Sequence, residues 1–247
     1  MPKNNIFESE DYLSIIYSDS RRPYSDYPLK LAKHLRDHFF GSTGHLLDIG
    51  CGRGDILHSL ANVGFSVVGT DLSPASAESA SPHEVRICDL EKDELPFEND
   101  RFDFLFSKSV IEHLANPMKC LIEMNRVVRP GGKVVLMTPS WMHTSWGPFY
   151  ADYTHVTPFT IPSLEDAMVL SGFEKVSVTY FYQLPFLWSF PWIMPLVKLV
   201  SLLSIPYSPM YNIRLPNNLN KLIRFSREAM LIGVGHKPNF PTNIEQL

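Results

Sequence analysis

Cysteine is scarce in this sequence, with three residues among 247. Cys51, Cys88 and Cys120 are odd in number, lie in separate predicted elements and form no C-x-x-C pair, so the sequence favours neither a disulfide framework nor a zinc site. Thiols without a disulfide pattern fit a reducing, cytoplasmic location. The chain is polar from Pro2 to Asn5 and has no early apolar run, which predicts no signal peptide.

Positive charge is not in excess either. The chain has 22 Lys and Arg against 26 Asp and Glu, a formal net charge of −4, so we expect no nucleic-acid partner. An uninterrupted membrane span is also missing, because Pro191 and Pro195 break the apolar stretch 185–209 and Lys198 lies inside it. The stretch is therefore a lid packed into the core, a dimer surface or a peripheral membrane contact. The last of these would add membrane association to the cytoplasmic location.

Glycine is concentrated where an apolar run stops. The run from His45 ends at Asp48, glycines follow at positions 50, 52 and 54, and apolar residues then return at helical spacing. This order predicts a strand, a tight turn and a helix. Such a turn lets ligand atoms approach the backbone and directs the first N–H groups of the helix at an anionic group. It therefore predicts a site for a nucleotide-like cofactor.

The glycine spacing limits which cofactor this is. A dinucleotide fingerprint has the pattern G-x-G-x-x-G, whereas this loop reads G-x-G-x-G. The spacing argues against a nicotinamide-dependent oxidoreductase. A second predicted strand, 66–71, ends in Asp71 about 20 residues further on, where a βαβ unit delivers a carboxylate to a ribose. Its two acceptor oxygens can hold two vicinal hydroxyls, so Asp71 is the predicted ribose ligand.

The remaining predicted strands follow at regular intervals. The third, 84–89, ends in Asp89 before an acidic loop. Helical spacing separates the later strands, which cover residues 101–107, 133–139, 173–180 and 229–235.

Five motifs in this order resemble the class I S-adenosylmethionine (SAM) methyltransferases, in particular the type-11 and quinone O-methyltransferase branch. Together they cover about residues 40–140. The motifs are the D-x-G-x-G-x-G loop from Asp48, G-x-D-x-S at 69–73, L-P-F-E-x-x-x-F-D at 95–103, V-I-E-H-L at 110–114 and the R-P-G-G turn at 129–132.

The resemblance implies an α/β fold: a Rossmann-like, seven-stranded, mostly parallel sheet with helices on both faces and an antiparallel last strand. It also implies SAM as cofactor, with the glycine loop facing the methionine part, Asp71 the ribose, and Asp89 with Leu90 the adenine. The implied cofactor-binding residues are Asp48, Gly50, Cys51, Gly52, Gly54, Asp71, Leu72, Asp89, Leu90 and Ser107.

We expect one domain over residues 1–247, with the SAM-binding core at 45–139. Residues 1–44 form an arm or lid, whose helix from Leu29 to Phe40 is expected to pack across the mouth of the cofactor site. Two insertions follow the core. Residues 140–160 are rich in aromatics and histidine, and residues 183–227 are apolar and rich in proline.

Methylation of a hydroxyl requires a base, and histidine serves near neutral pH. His113 and His155 are the candidate bases, with Glu112 and Asp152 as residues that orient the rings or bind hydroxyls, and His143 is a weaker candidate. No spacing of histidines and acids is specific to a metal, so none is predicted. The expected function is O-methylation of a small or lipid-linked acceptor, sugar-like or quinone-like. The alternative is a SAM-binding partner or regulatory protein without catalysis.

Overall fold

A computed structural model describes residues 23–208 and 217–239 of the chain. Its seven strands form one sheet in the order β3-β2-β1-β4-β5-β7-β6. The pairs among β1 to β5 are parallel, and β7 runs antiparallel to both of its neighbours, which confirms the expected fold. The strands are β1 (His45–Ile49), β2 (Ser66–Asp71), β3 (Val85–Ile87), β4 (Phe102–Lys108), β5 (Val128–Pro139), β6 (Glu174–Phe181) and β7 (Met230–His236).

Helices cover both faces of the sheet. One apolar cluster joins Leu31 of α1 and Leu60 of α2 to Phe104 and Phe106 of β4, and another joins α4 and α6 to Leu105. Successive strand residues thus face opposite layers. The helices are α1 (Tyr27–Leu35), α2 (Asp55–Asn62), α3 (Ala75–Ser79), α4 (Pro117–Val127), α5 (Trp141–Thr144), α6 (Ile161–Leu170), α7 (Pro185–Ser189), α8 (Met194–Leu202) and α9 (Asn217–Arg227).

Helix α1 lies differently from the expectation. Its buried residues Leu31 and Leu35 pack on the sheet face beside α2, because they form one apolar stripe that the sheet can cover. Among the described residues of the arm, Tyr24 lies at the carboxyl edge, where its ring centroid is 4.5 Å from Cζ of Arg53. Residues 1–22 of the predicted arm lie outside the described residues.

Two strands also differ in length from the sequence prediction. β5 begins at Val128 rather than at residue 133, because the R-P-G-G turn is itself paired: Gly131 N donates to Lys237 O, and Lys237 N donates to Gly132 O. β3 has only three residues. The apolar 183–227 insertion is divided into α7, a 3-10 turn at Pro191–Ile193, α8 and α9, and no helix in the described part of the chain is long and apolar enough to cross a membrane.

Candidate functional site

The glycine loop connects β1 to α2 at the carboxyl edge of the sheet. Gly50, Gly52 and Gly54 all have left-handed φ angles, of +74°, +54° and +80°. A Cβ on Gly50 would lie 2.2 Å from Cγ2 of Val110, and one on Gly54 would lie 2.8 Å from Cα of Ala80. Glycine is therefore required at these two positions both by conformation and by space.

Asp71 joins this loop to the turn that follows β2. Its Oδ2 accepts a hydrogen bond from Gly52 N (2.8 Å), and its Oδ1 accepts one from Ser73 N (3.0 Å). Burial raises the pKa of the carboxyl group, and these N–H groups oppose the shift. Each carboxylate oxygen has a second lone pair, so both can still accept a ligand hydroxyl. The buried hydroxyl of Ser73 has no hydrogen-bond partner among the described residues.

Asp48 and Cys51 lie at the base of the loop. Asp48 is almost fully buried in β1, and burial, with a contribution from the charge of Asp71, raises its pKa to about 7. Burial also raises the pKa of the Cys51 thiol, and Cys51 is a free cysteine. Cys51 N donates to Thr70 O, so its backbone holds the loop against β2. These two side chains shape the floor of the site.

The residues expected near the adenine differ in their hydrogen-bond partners and in their exposure to solvent. Asp89 accepts hydrogen bonds from Lys92 Nζ (2.6 Å) and Glu91 N (3.0 Å). Burial raises its pKa, but these partners outweigh the effect, and the pKa lies below its usual range. Leu72 is exposed directly after Asp71, and Leu90 is half-buried. Both offer apolar surface to a ring.

Ser107, the remaining predicted cofactor residue, is buried in β4. Its hydroxyl donates to the carbonyl of Ile49 at 3.0 Å, so its proton serves to join β4 to β1 at the edge where the glycine loop begins.

The predicted catalytic residues come together at the neighbouring strand ends. Glu112 and His113 lie on a 3-10 turn after β4, and His155 belongs to the 140–160 insertion. One donor atom from each of these three side chains lies within 4.8 Å of the other two. The ring centroids of His113 and His155 are 4.6 Å apart, with the rings nearly perpendicular.

Hydrogen bonds assign the tautomers of both histidines. The Thr154 hydroxyl donates to Asp152 Oδ1 (2.6 Å), so it can only accept from Nδ1 of His113, 2.8 Å away. Nδ1 of His155 lies 2.7 Å from the carbonyl oxygen of Phe149 and must carry a proton to bond it. In its neutral form each imidazole then has its lone pair on Nε2. Asp152 acts on His113 through Thr154, a residue that the sequence reasoning missed although it stands beside His155.

Glu112 is the most enclosed member of this cluster. Its Oε2 accepts from the Thr138 hydroxyl (2.9 Å), while Oε1 is buried and has no hydrogen-bond partner of good geometry in the described part of the chain. Burial raises the pKa of this carboxyl group to about 7. Its backbone carbonyl accepts from Val156 N and Thr157 N, which fastens the insertion to the strand end.

The cluster can perform two kinds of chemistry. Two imidazoles with Nε2 lone pairs are suited to accept a proton. Two histidines and a carboxylate are also a donor set that divalent transition metals bind, which the residue spacing alone did not indicate.

His143 lies apart from the cluster, in the wall of a cavity of about 460 Å³. Its Nδ1 is 3.0 Å from the Ser140 hydroxyl, and burial lowers its pKa. The cavity lies between α5, the end of β6 and the C-terminal ends of α8 and α9. Its wall combines aromatic and apolar side chains with polar residues, among them Ser201, Ser204 and Ser226. The lining residues include Met142, His143, Trp146, Tyr182, Leu202 and Arg227.

Comparison with known proteins agrees with this arrangement. Residues 47–136 match the family model described as a methyltransferase domain. A ubiquinone biosynthesis O-methyltransferase from Maricaulis maris is 34% identical over 121 residues, which are 41% of this chain and 45% of the relative. The chain thus spans less than half the length of this relative.

Solved structures extend the likeness beyond the matched segment. A SAM-dependent methyltransferase from Archaeoglobus fulgidus superposes with a TM-score of 0.62 at 18% identity, over 90% of this chain and 98% of its own. Phosphoethanolamine N-methyltransferase 2 from Haemonchus contortus gives 0.65 at 20%, over 94% of this chain and 60% of its own. Residues 47–136 therefore match the methyltransferase-domain family model, and the chain has the fold of the class I methyltransferases.

Proposed function

We propose that this chain binds SAM at the glycine loop and transfers its methyl group to an oxygen atom of a small or lipid-linked acceptor. The observation that carries the proposal is the Asp71 carboxylate, which joins the glycine loop to the β2–α3 turn and keeps acceptor capacity on both oxygens. The family match supports it, and the Haemonchus contortus structure was solved with S-adenosylhomocysteine.

The residues present fit this cofactor. Gly50 and Gly52 are partly exposed in the loop, Asp71 would hold the ribose hydroxyls, and Leu72 and Leu90 would cover the purine. The adenine amino group is a donor and would need an acceptor such as Asp89. When bound, the cofactor supplies a methyl group already activated on a sulfonium.

The histidine cluster would prepare the acceptor. Nε2 of His113 or His155 would accept the proton of the acceptor hydroxyl, whose oxygen would gain the methyl group as the C–S bond of the sulfonium breaks and leaves S-adenosylhomocysteine. Hydrogen bonds to Thr154 and to the Phe149 carbonyl fix the two ring orientations, so little reorganisation is needed. Glu112 beside them would stabilise the imidazolium when ionised. The resemblance to ubiquinone biosynthesis O-methyltransferases makes a hydroxylated aromatic ring the first acceptor class to test, followed by sugars.

Calorimetry tests the cofactor assignment. We expect the purified chain to bind SAM and S-adenosylhomocysteine but not NADH. Asp71→Asn should weaken SAM binding about tenfold or more, because an amide loses charge and one acceptor oxygen. Asp103→Asn is the matched control, since Asp103 also accepts from a backbone N–H, that of His45, but at the opposite edge of the sheet. NADH binding without SAM binding would overturn the proposal.

Turnover with labelled SAM and a panel of catechols, hydroquinones and sugars tests the reaction. Replacing the operating base, by His113→Gln or His155→Gln, should lower kcat about 10²-fold or more while SAM affinity stays unchanged. His45→Gln, an exposed histidine at the opposite edge, should leave kcat unchanged. SAM binding without turnover on any acceptor class would favour a non-catalytic SAM-binding protein.

A further inference from the structure

Helix α8 has apolar side chains on the side that faces solvent. Leu196, Leu199 and Leu202 are 60%, 58% and 79% exposed, and Trp192 just before the helix is 74% exposed. Spacings of three and four residues place these side chains on one side of α8. Val197, on the other side, is buried in a cluster with residues of α7 and α9. The rest of the described chain therefore buries only the inner side of α8.

The exposed apolar surface continues across the mouth of the cavity. Leu202 lines that cavity together with Met142 and Trp146, which are themselves largely exposed. We call Met142, Trp146, Trp192, Leu196, Leu199 and Leu202 the outer apolar face. A contiguous set of this kind marks an interaction surface, whereas single exposed apolar residues do not.

Charge is segregated along the same part of the chain. Residues 175–227 contain six Lys and Arg and no Asp or Glu, although the whole chain has a net charge of −4. Lys198 is exposed on α8 between the leucines of the outer apolar face. Arg224 on α9 forms an ion pair with Glu228. Lys198 is therefore better placed than Arg224 to contact an external anion. Lys198 is the one charged residue of α8, and an apolar helix face with a cation and no acid is complementary to a surface that combines hydrocarbon with negative charge.

We infer that the outer apolar face docks on an anionic lipid bilayer, with α8 lying in the plane of the interface. Helix α8 has nine residues, a length that suits insertion of one side among the lipid headgroups and cannot span the hydrocarbon. Trp192 suits the interfacial region, where an indole N–H stays hydrated and its ring is buried, whereas the indole N–H of Trp146 donates to the His143 carbonyl and only its ring would contact lipid. A second copy is less complementary, because a two-fold interface would place the Lys198 side chains of both copies on one patch without acids.

Flotation of the full chain with lipid vesicles tests the inference. We expect the protein to float with phosphatidylcholine vesicles that contain phosphatidylglycerol, to float less with phosphatidylcholine alone, and to be released in part by salt. The double variant Leu196→Asp/Leu199→Asp should reduce vesicle partitioning about tenfold or more. Val169→Asp/Leu170→Asp is the matched control, because these α6 residues are 53% and 76% exposed and lie outside the outer apolar face.

Three outcomes would overturn the inference. The unmodified chain could stay with the soluble fraction, the control could lose as much binding as the α8 variant, or sedimentation velocity could show a dimer that only the α8 variant dissociates. The last outcome would assign the face to a second copy of the chain. Calorimetry with SAM on the same samples checks that the variants are folded, and it separates a failure of the docking surface from a failure of the proposed function.

Discussion

At the scale of single residues, the buried carboxyl of Glu112 links the candidate site to stability. Burial raises its pKa to about 7 from the ordinary value of 4.5, so the native state binds this proton more tightly than the unfolded chain does. The contribution to the free energy of unfolding is complete below pH 4.5 and is lost as the pH rises through 7. Asp48 has a pKa raised to about the same value and acts with the same sign.

Glu112→Gln should therefore lessen the decline in stability between pH 5 and pH 8. We expect the variant to recover about 2 kcal/mol of the free energy of unfolding at pH 8, since a neutral amide keeps an acceptor for Thr138 without a charge to bury. Urea unfolding at the two pH values measures this. Glu123→Gln is the control, because Arg126 holds the pKa of Glu123 below its usual range and the decline should persist. An unchanged decline in Glu112→Gln would contradict the assignment.

Gly54→Ala should destabilise the chain more than Gly41→Ala. Both glycines have φ near +80°, which costs an alanine about 1 kcal/mol or more. Only at Gly54 would the Cβ also strike backbone, at Cα of Ala80, whereas Gly41 has open space. We expect an additional loss of about 1–3 kcal/mol and weaker SAM binding for Gly54→Ala. Equal effects of both variants in urea unfolding would show that the Ala80 contact is not limiting.

Part of the candidate site could be predicted from the sequence, and part of it could not. The tight turn at the loop glycines could be predicted, because its backbone conformation is encoded in a short, local spacing, whereas the ligand roles of these glycines and of Asp71 stay predictions. Thr138 and Thr154 could not be predicted, because each acquires its role only when the fold brings it to Glu112 or His113. Ser107 is the opposite case. The sequence indicated it as a cofactor-binding residue, whereas its hydroxyl donates to the carbonyl of Ile49 within the sheet.

At the scale of elements, the N-terminus of α6 is capped by local side chains. The Thr160 hydroxyl accepts from Ser163 N and the Ser163 hydroxyl accepts from Thr160 N, a reciprocal cap on the first turn. Thr160→Ala should lower the free energy of unfolding by about 1 kcal/mol, while Thr160→Ser should retain most of it. Thermal unfolding of both variants checks this, and an equal loss in both would show that the hydroxyl contributes little.

Strands were easier to locate from the sequence than the helices of the last insertion. Each central strand is a short apolar run bounded by turn residues, so its position is encoded locally. Between residues 183 and 208 apolar residues fall on every side, and the breaks become visible only through Pro191 and Pro195. Which side of α8 stays exposed depends on the packing of Val197 against α9, a contact that no local pattern encodes.

At the scale of the whole molecule, the order of the strands could not be derived from periodicity. Parallel neighbours such as β1 and β4 are separated by long crossovers, and only the family resemblance indicated how they pair. All three cysteines are buried, Cys88 and Cys120 in one large core cluster and Cys51 in a smaller one with Leu57 and Ala80.

Thiol reactivity should therefore report global unfolding. Cys51, Cys88 and Cys120 are buried and have pKa values raised by burial, so the native chain should react slowly with a disulfide reagent. All three thiols should react together in guanidinium, and the native rate should rise for Gly54→Ala. Fast modification of one thiol in the native chain would instead reveal local opening around that residue.

The cavity beside α8 has a kinetic consequence. Leu202 belongs both to the cavity wall and to the outer apolar face, so a chain docked on a bilayer would hold the cavity mouth at the lipid surface. A lipid-linked acceptor would then be sampled by lateral diffusion. Its effective concentration would then be set by its mole fraction among the lipids. Adding inert lipid to the vesicles, while the acceptor concentration in the whole sample is held constant, would therefore lower turnover.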